Sequence, residues 1–443
     1  MVKYFLSVLF ILSFYELRAD FFRILDDETE ALQCRIDMIE QAKSEILLSY
    51  YILNDDLVGM TIFSALVEAA RDRKVKVCLI VDAVNSKIRK PVMRYLQDNG
   101  IEVRVFKPGN ILQPISYAKR MHSKLFLTDS ENLIVGGRNI KREYYSLGKD
   151  FNFLDRDVFV KSRSATETAR KHFYSIWDNE KIAKHKDLKP ISVDEKLEIE
   201  NKLRLARIKI QDLKNIKFAT STDWTLNQKQ TDNPPVFEHD NYHIYKGGKK
   251  IELDYKDTDE GSTKSLLKII NQAHKSILME NAYVIPTLKW RKALKKAIDR
   301  GVKVRILTNS AQTSDLMIAQ AAYRNARKKL LKMGIEIWEY QGPKTLHTKS
   351  TVIDDSISIV SSYNLVAFSE RWSTEVAVWV ADTTIARYHT RIMEQNLQHA
   401  LRIDKNNNQV KHRMPDDTKK LTCRKRTSLF INRYSIAWTM TLL

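Results

Sequence analysis

Apolar positions along this chain switch between helical and strand spacing, and the whole pattern occurs twice. In the first half IEQAKSEILLSYYIL (39–53) leads into SALVEAARDRKVKVCLIVD (64–82), GIEVRVF (100–106) and MHSKLFLTDSENLIVGGRN (121–139). In the second, INQAHKSILMENAYVI (270–285) leads into KALKKAIDRGVKVRILTNS (292–310), GIEIWEY (334–340) and LHTKSTVIDDSISIVSSYN (346–364). Ile62, Leu66 and Ala69 keep helical spacing, whereas VKVCLIV and VKVRIL are β-branched runs between turn signals. Each unit predicts helix, strand, helix, strand, which implies an α/β layer with a mostly parallel or mixed sheet. A repeat of this length is a domain duplication, since solenoid units run at about 20–50 residues. The two layers are expected to pack against each other.

The remaining segments set the domain organisation. Residues 183–215 are charged and helix-favouring, and 225–250 read as a long loop from their Asn, Pro and Gly. TTIARYHTRIMEQNLQHALRI (383–403) predicts a closing helix. The division expected is a first domain over 20–215 including a connecting helix, a second over 216–403, and a tail over 404–443. That tail has nine Lys or Arg against three Asp and an apolar-rich end, which suits a loose end or an interfacial membrane anchor. Residues 1–19 hold one lysine and an apolar run from Tyr4 to Tyr15, too short for an ordinary span of about 20 residues but suited to a signal peptide or an anchor.

Composition narrows the class. The 443 residues are 43% apolar, which excludes wholesale disorder, and 74 Lys plus Arg against 54 Asp plus Glu give a formal charge of +20. Such a surface attracts phosphates, on nucleic acid or on anionic lipid. The cysteines Cys34, Cys78 and Cys423 have no metal-ligand spacing, so neither a disulfide framework nor a structural zinc is expected. His239 and His243 stand four apart in EHDNYH, but a loop-like setting argues against a metal pair. Tyr50, Tyr51, Tyr144 and Tyr145 suit either the edge of a lipid groove or the core.

The chemistry sits in the repeated motif. His122, Lys124, Asp129 and Asn139 each lie 225 residues before His347, Lys349, Asp354 and Asn364. Residues i and i+2 of a strand share a face, so each unit offers one imidazole beside one ammonium. Two units face to face offer two of each around one cavity, which suits a phosphodiester. One histidine can attack phosphorus while the other protonates the leaving oxygen, and the lysines with Asn139 and Asn364 can hold the anionic oxygens. This chemistry requires no metal. Asp129 and Asp354 fit a catalytic role or a hairpin turn equally well, TDSEN and IDDS being good turn sequences.

These residues resemble the phospholipase D superfamily, whose pattern is HxKxxxxD followed by GG or GS and an Asn. The first copy fits fully; the second has Ser361 where glycine is usual, while Ser362 and Asn364 match. The resemblance covers most of residues 26–403 and implies two α-β-α domains with mixed sheets packed around one shared active site. It implies His122, Lys124, Asp129, His347, Lys349 and Asp354 as catalytic residues, with Asn139, Asn364, Ser362, Glu375 and Asp157 binding phosphate or supporting the site. Glu375 in RWSTE falls where the family has a glutamate that orients the histidine; for the first copy Asp157 in FLDRDVFV is the better candidate and Asp155 the alternate.

Within the superfamily the chain is most similar to bacterial cardiolipin synthases, through YYILNDD, IVGGRNIKREYY and LDRDVFV. Such enzymes move a phosphatidyl group from one phospholipid to the headgroup alcohol of another. The second copy has Val366, Ala367 and Phe368 where that subgroup often has Asp-Pro-Arg, which bears on the acceptor. The resemblance further implies a phosphohistidine on His122, no cofactor and a phospholipid substrate at an anionic membrane surface. The internal duplication suits a monomer, and the apolar run at 4–15 suits export to the periplasmic face or cell envelope of a bacterium. Hydrolysis by the same residues is an alternative, as is a nuclease, although many nucleases of the superfamily are short single-motif chains that dimerise.

Overall fold

The β-branched runs form the centres of two mixed sheets in the computed structural model, which describes residues 20–106, 120–179, 183–218, 229–231, 233–240, 244–245, 252–253, 261–410 and 421–435. In the first sheet Glu45–Tyr50, Lys76–Asp82 and Ile101–Phe106 run parallel, and Lys124–Thr128, Asn132–Gly136, Asp157–Lys161 and Phe21–Leu25 continue it antiparallel. The second sheet repeats this order with Ser276–Asn281, Lys303–Asn309 and Glu336–Tyr340 parallel, then Lys349–Ile353, Ile357–Ser361 and Val376–Ala381 antiparallel.

Strand alternation distributes the side chains between two cores. In the first sheet Ile46, Leu48, Val77, Leu79, Phe126 and Ile134 face a core shared with the helices Glu28–Gln41 and Leu57–Arg71. Leu47, Cys78, Ile80, Leu125 and Val135, one residue out of phase, join a core that also contains Val360, Val376 and Val378 of the second sheet. The halves therefore share buried apolar surface, with the helices Arg163–Trp177 and Thr383–Leu397 contributing Phe173 and Ile385 to it. Cys78 is buried there, as its apolar setting leads one to expect.

Two short parallel pairings cross the seam between the halves. Arg120–Met121 pairs with Ser373–Thr374, and Thr345–Leu346 pairs with Phe153–Leu154. Each pairing ends one residue before a motif histidine on one side and before a carboxylate on the other.

Several segments differ from the expectation. The closing helix stops at Leu397, and Ala400–Ile403 becomes an edge strand on Glu336–Tyr340. Ala400, Leu401 and Ile403 are buried by that pairing, which is a tertiary gain that local spacing does not encode. In the expected loop Val236–His239 is an edge strand on Val376–Ala381, following Pro234 and Pro235. The connecting helix is Val193–Lys214, opened by a Ser192/Glu195 capping box. In the tail Cys423–Ser435 is a helix that packs on Met317–Met333, with Leu429 buried. Residues 1–19 and His243 lie outside the described residues, among which no helix is long and apolar enough to cross a membrane.

Candidate active site

The seam pairings decide which carboxylate meets which histidine. The His122 N–H donates to Thr374 O at 3.1 Å, and the His347 N–H donates to Leu154 O at 2.7 Å. Glu375 and Asp155 are the next residues, so each imidazole lands against the carboxylate of the other half. His122 Nδ1 lies 2.9 Å from Glu375 Oε2, and His347 Nδ1 lies 2.6 Å from Asp155 Oδ2. A carboxylate at Nδ1 fixes the tautomer with its proton on Nδ1 and leaves the Nε2 lone pair for chemistry.

Asp157, the expected partner, does not hold a histidine. Its buried carboxylate accepts from Arg35 Nη2 at 2.8 Å, Arg138 Nε at 3.2 Å and the Arg138 N–H at 3.2 Å. Asp155 is the residue at the site. The two aspartates are two apart, so strand alternation could not separate them; Asp157 begins the strand, whereas Asp155 precedes it and follows the seam pairing.

Gly137 makes room for Asp155, because a Cβ there would sit 2.2 Å from Asp155 Oδ1. Its counterpart Ser362 instead donates its hydroxyl to Glu375 Oε2 at 2.5 Å. Ser362, which matches the family pattern, thus supplies a donor to the carboxylate that orients His122, whereas Ser361, the departure, donates to Lys349 O at 3.3 Å. Ser369, which the motif reading missed, donates to Glu375 Oε1 at 2.6 Å, and Asp240 accepts from the Glu375 N–H at 2.8 Å. Ser369 follows Asn364, where the 225-residue register ends, and Asp240 precedes the second copy, so no spacing signal marks them.

The lysines are buried beside the histidines. Lys124 Nζ donates to His122 O at 2.6 Å and lies 5.1 Å from the Tyr51 ring centre. Lys349 Nζ donates to His347 O and stands 2.8 Å from His347 Nδ1, whose N–H donates to the Asp155 carboxylate. Burial lowers Lys124 to about 7 and Lys349 to about 8, against the pull of Glu375 and Asp155 respectively. Burial lowers His122 to about 4, Glu375 opposing and Lys124 adding to the fall. His347 is lowered too, by burial and then by Lys349. Burial alone would raise Asp155, but His347 and Lys349 hold it below the usual carboxylate value.

His122, His347, Asn139 and Asn364 line one cavity of about 600 Å3, within the size range of ligand sites. Tyr51, Tyr144, Phe153 and Phe368 give it apolar walls. The tyrosine cluster therefore divides, with Tyr51 and Tyr144 at the cavity and Tyr50 and Tyr145 in the core. Asn139 Oδ1 accepts from the Ile52 N–H at 3.1 Å.

Asp129 and Asp354 do not reach this cavity. Asp129 accepts from the backbone N–H groups of Lys43, Ser44 and Glu45, and Asp354 from those of His274, Lys275 and Ser276. Both sit in hairpin turns with φ of 53° and 54°, where aspartate is tolerated. Their job is to tie the turn to the start of the neighbouring strand. His239 packs its ring 4.6 Å from that of buried His172, away from the cavity lining.

A family model described as "Cardiolipin synthase, PLD-like domain" matches residues 35–177 and 266–397, one segment in each half. The chain belongs to this family and is a phospholipase D-type phosphatidyltransferase. Cardiolipin synthase C of Escherichia coli is 26% identical over 400 residues, covering 82% of each chain. An uncharacterised protein of Helicobacter pylori is 28% identical over 395 residues, covering 82% of this chain and 76% of its own. Among solved structures, phosphatidylserine synthase of Haemophilus influenzae superposes with a TM-score of 0.65 at 13% identity over 96% of both chains, a likeness of fold.

Proposed function

We propose that the protein makes cardiolipin by moving a phosphatidyl group from one phospholipid to the headgroup hydroxyl of another. His122 Nε2 attacks phosphorus, while His347 enters the step as the imidazolium, keeps its Nδ1–H on Asp155 and gives its Nε2 proton to the departing alcohol, leaving a phosphohistidine. The acceptor alcohol then passes its proton to His347 and attacks phosphorus, which releases His122. Lys124, Lys349, Asn139 and Asn364 hold the phosphoryl oxygens as charge develops on them. Glu375 and Asp155 keep the imidazoles in the working tautomer.

The observation that carries this reading is the crossed pair of carboxylate-oriented imidazoles in one apolar-walled cavity. The net charge of +20 and the tail helix, with Arg424, Lys425 and Arg426 beside exposed Phe430 and Ile431, support work at an anionic membrane surface. We place that surface on the periplasmic side, following the apolar segment at residues 4–15.

The test incubates the full chain with labelled phosphatidylglycerol and phosphatidylethanolamine, and separately with DNA. Labelled cardiolipin is expected, with DNA intact and product lost in both His122→Ala and His347→Ala. Phosphatidic acid alone would replace transfer by hydrolysis, and shortened DNA without lipid turnover would overturn the reading.

A further inference from the structure

The two sides of the cavity are not equivalent, and the difference gathers near His347. Tyr50 pairs with Lys124 in the first sheet, and Asn281 pairs with Lys349 in the second, so these are matching positions. Two residues further on, Ile52 corresponds to Tyr283. In the first half the Ile52 N–H donates to Asn139 Oδ1 at 3.1 Å and ties that amide oxygen down. In the second half the Tyr283 N–H is taken by Asn281 Oδ1 at 3.3 Å, because an asparagine stands where the first half has Tyr50. Asn364 is only 7% exposed, and its Oδ1 is left without a partner among the described residues. A buried acceptor in that condition is unfavourable until a ligand donates to it.

Tyr283 itself brings a phenol to the cavity where the first half has an isoleucine. Its hydroxyl donates to Asp315, lying 2.9 and 3.0 Å from the two carboxylate oxygens. Asp315 is exposed and is the one carboxylate among the described residues that line this cavity. Its charge acts on His347 and Lys349. A carboxylate repels phosphate oxygens, so this part of the cavity suits the end of a substrate that is not the phosphodiester.

We propose that Asp315, Tyr283 and Asn364 form a headgroup subsite on the His347 side of the cavity, which binds the hydrogen-bond-donating end of the lipid alcohol, a hydroxyl or a primary ammonium. The Tyr283 hydroxyl proton is already committed to Asp315, so what the subsite offers is acceptor oxygens on Asp315 and on Asn364, whose Nδ2 is the atom that serves the phosphoryl oxygen. A glycerol or ethanolamine headgroup can donate to them; a trimethylammonium group has no proton to give. Held there, the alcohol oxygen lies on the side of the histidine that protonates it on leaving and deprotonates it on entering. The inference rests on the phosphatidyl-transfer reading.

The test measures kcat and KM of the full chain for headgroup release from phosphatidylglycerol, phosphatidylethanolamine and phosphatidylcholine in matched mixed micelles. Wild type is expected to prefer the first two. Asp315→Asn should lower kcat/KM for the preferred lipids by about tenfold, chiefly through KM, and shrink their advantage over phosphatidylcholine, the scale of one charge-assisted hydrogen bond. Tyr283→Phe, which keeps the charge but frees the carboxylate, should alter KM for the same lipids by less. A loss confined to one preferred lipid identifies whether hydroxyl or ammonium is read. Equal slowing of all three lipids, or an unchanged preference, would overturn the subsite while leaving phosphatidyl transfer standing. Absence of turnover of any phospholipid by wild type would overturn both.

Discussion

His122 and Glu375 stand 253 residues apart in the chain, yet Nδ1 of one lies 2.9 Å from Oε2 of the other. His347 and Asp155 repeat the arrangement in the opposite direction at 2.6 Å. Neither half holds a complete pair, so a working imidazole exists only when the two halves are docked. The parallel pairings of Met121 with Thr374 and of Leu346 with Leu154 are what set the register of that docking.

Asp155 and Asp157 should respond differently to the same change. Asp155→Asn is expected to lower kcat by about 10²–10⁴-fold, as loss of an imidazole-orienting carboxylate does elsewhere, with little change in unfolding midpoint. Asp157→Asn leaves buried Arg35 and Arg138 short of a counter-charge, and should cost about 3–5 kcal/mol of stability. Denaturant titration and steady-state rates on both variants separate the roles. Equal kinetic loss with equal stability would remove the distinction between them.

Asp129→Ala and Asp354→Ala should weaken the fold and spare the chemistry. Each loses the acceptor for three backbone N–H groups at a positive-φ turn, a cost of about 1–3 kcal/mol in unfolding free energy. Burial alone would raise both carboxyls, but the backbone donors win and hold them below their ordinary value. Their contribution is therefore present above the unfolded carboxylate value, about 4, and is lost as pH falls through the lower folded value. Wild type should lose stability across that acid window, and each variant should lose less. A kcat deficit at full folding would return these aspartates to the catalytic set.

The pH–rate profile should carry His347, the acid of the first step, and above it the lysines on its alkaline side, because burial and Lys349 lower His347 from the ordinary imidazole value. With His122 lowered to about 4, the nucleophile is neutral across the physiological range, and the acid limb of kcat/KM is expected near that value. Lys124 at about 7 and Lys349 at about 8 lose their protons as pH rises, so kcat/KM should fall there. A bound phosphodiester favours the charged ammonium, so the alkaline limb of kcat should lie higher than that of kcat/KM. Coincident alkaline limbs would show that neither lysine meets the substrate anion.

Much of the site was legible because the chain states it twice. The 225-residue register between His122 and His347 holds through Lys124, Asp129 and Asn139, and strand alternation places each histidine and lysine on one face. The register then breaks, since Asp155 and Glu375 are separated by 220 residues. Asp157 was the expected partner ahead of Asp155, and spacing had no means to reverse that choice, because the two share a strand parity. Ser369 and Asp240 were invisible for a related reason, as one follows the end of the 225-residue register, the other precedes the second copy, and both meet Glu375 in the folded chain.

The sequence by itself determined the α/β duplication, the two histidine–lysine pairs and the turn character of TDSEN and IDDS, because these depend on neighbours within a strand or a hairpin. Only the tertiary structure decided that each histidine is oriented by the other half, that Asp157 belongs to an arginine pair, and that Ala400–Ile403 is a strand. Those outcomes depend on which exposed edges and buried charges meet when the sheets dock. That meeting is fixed by non-local pairing and burial, which no local period records.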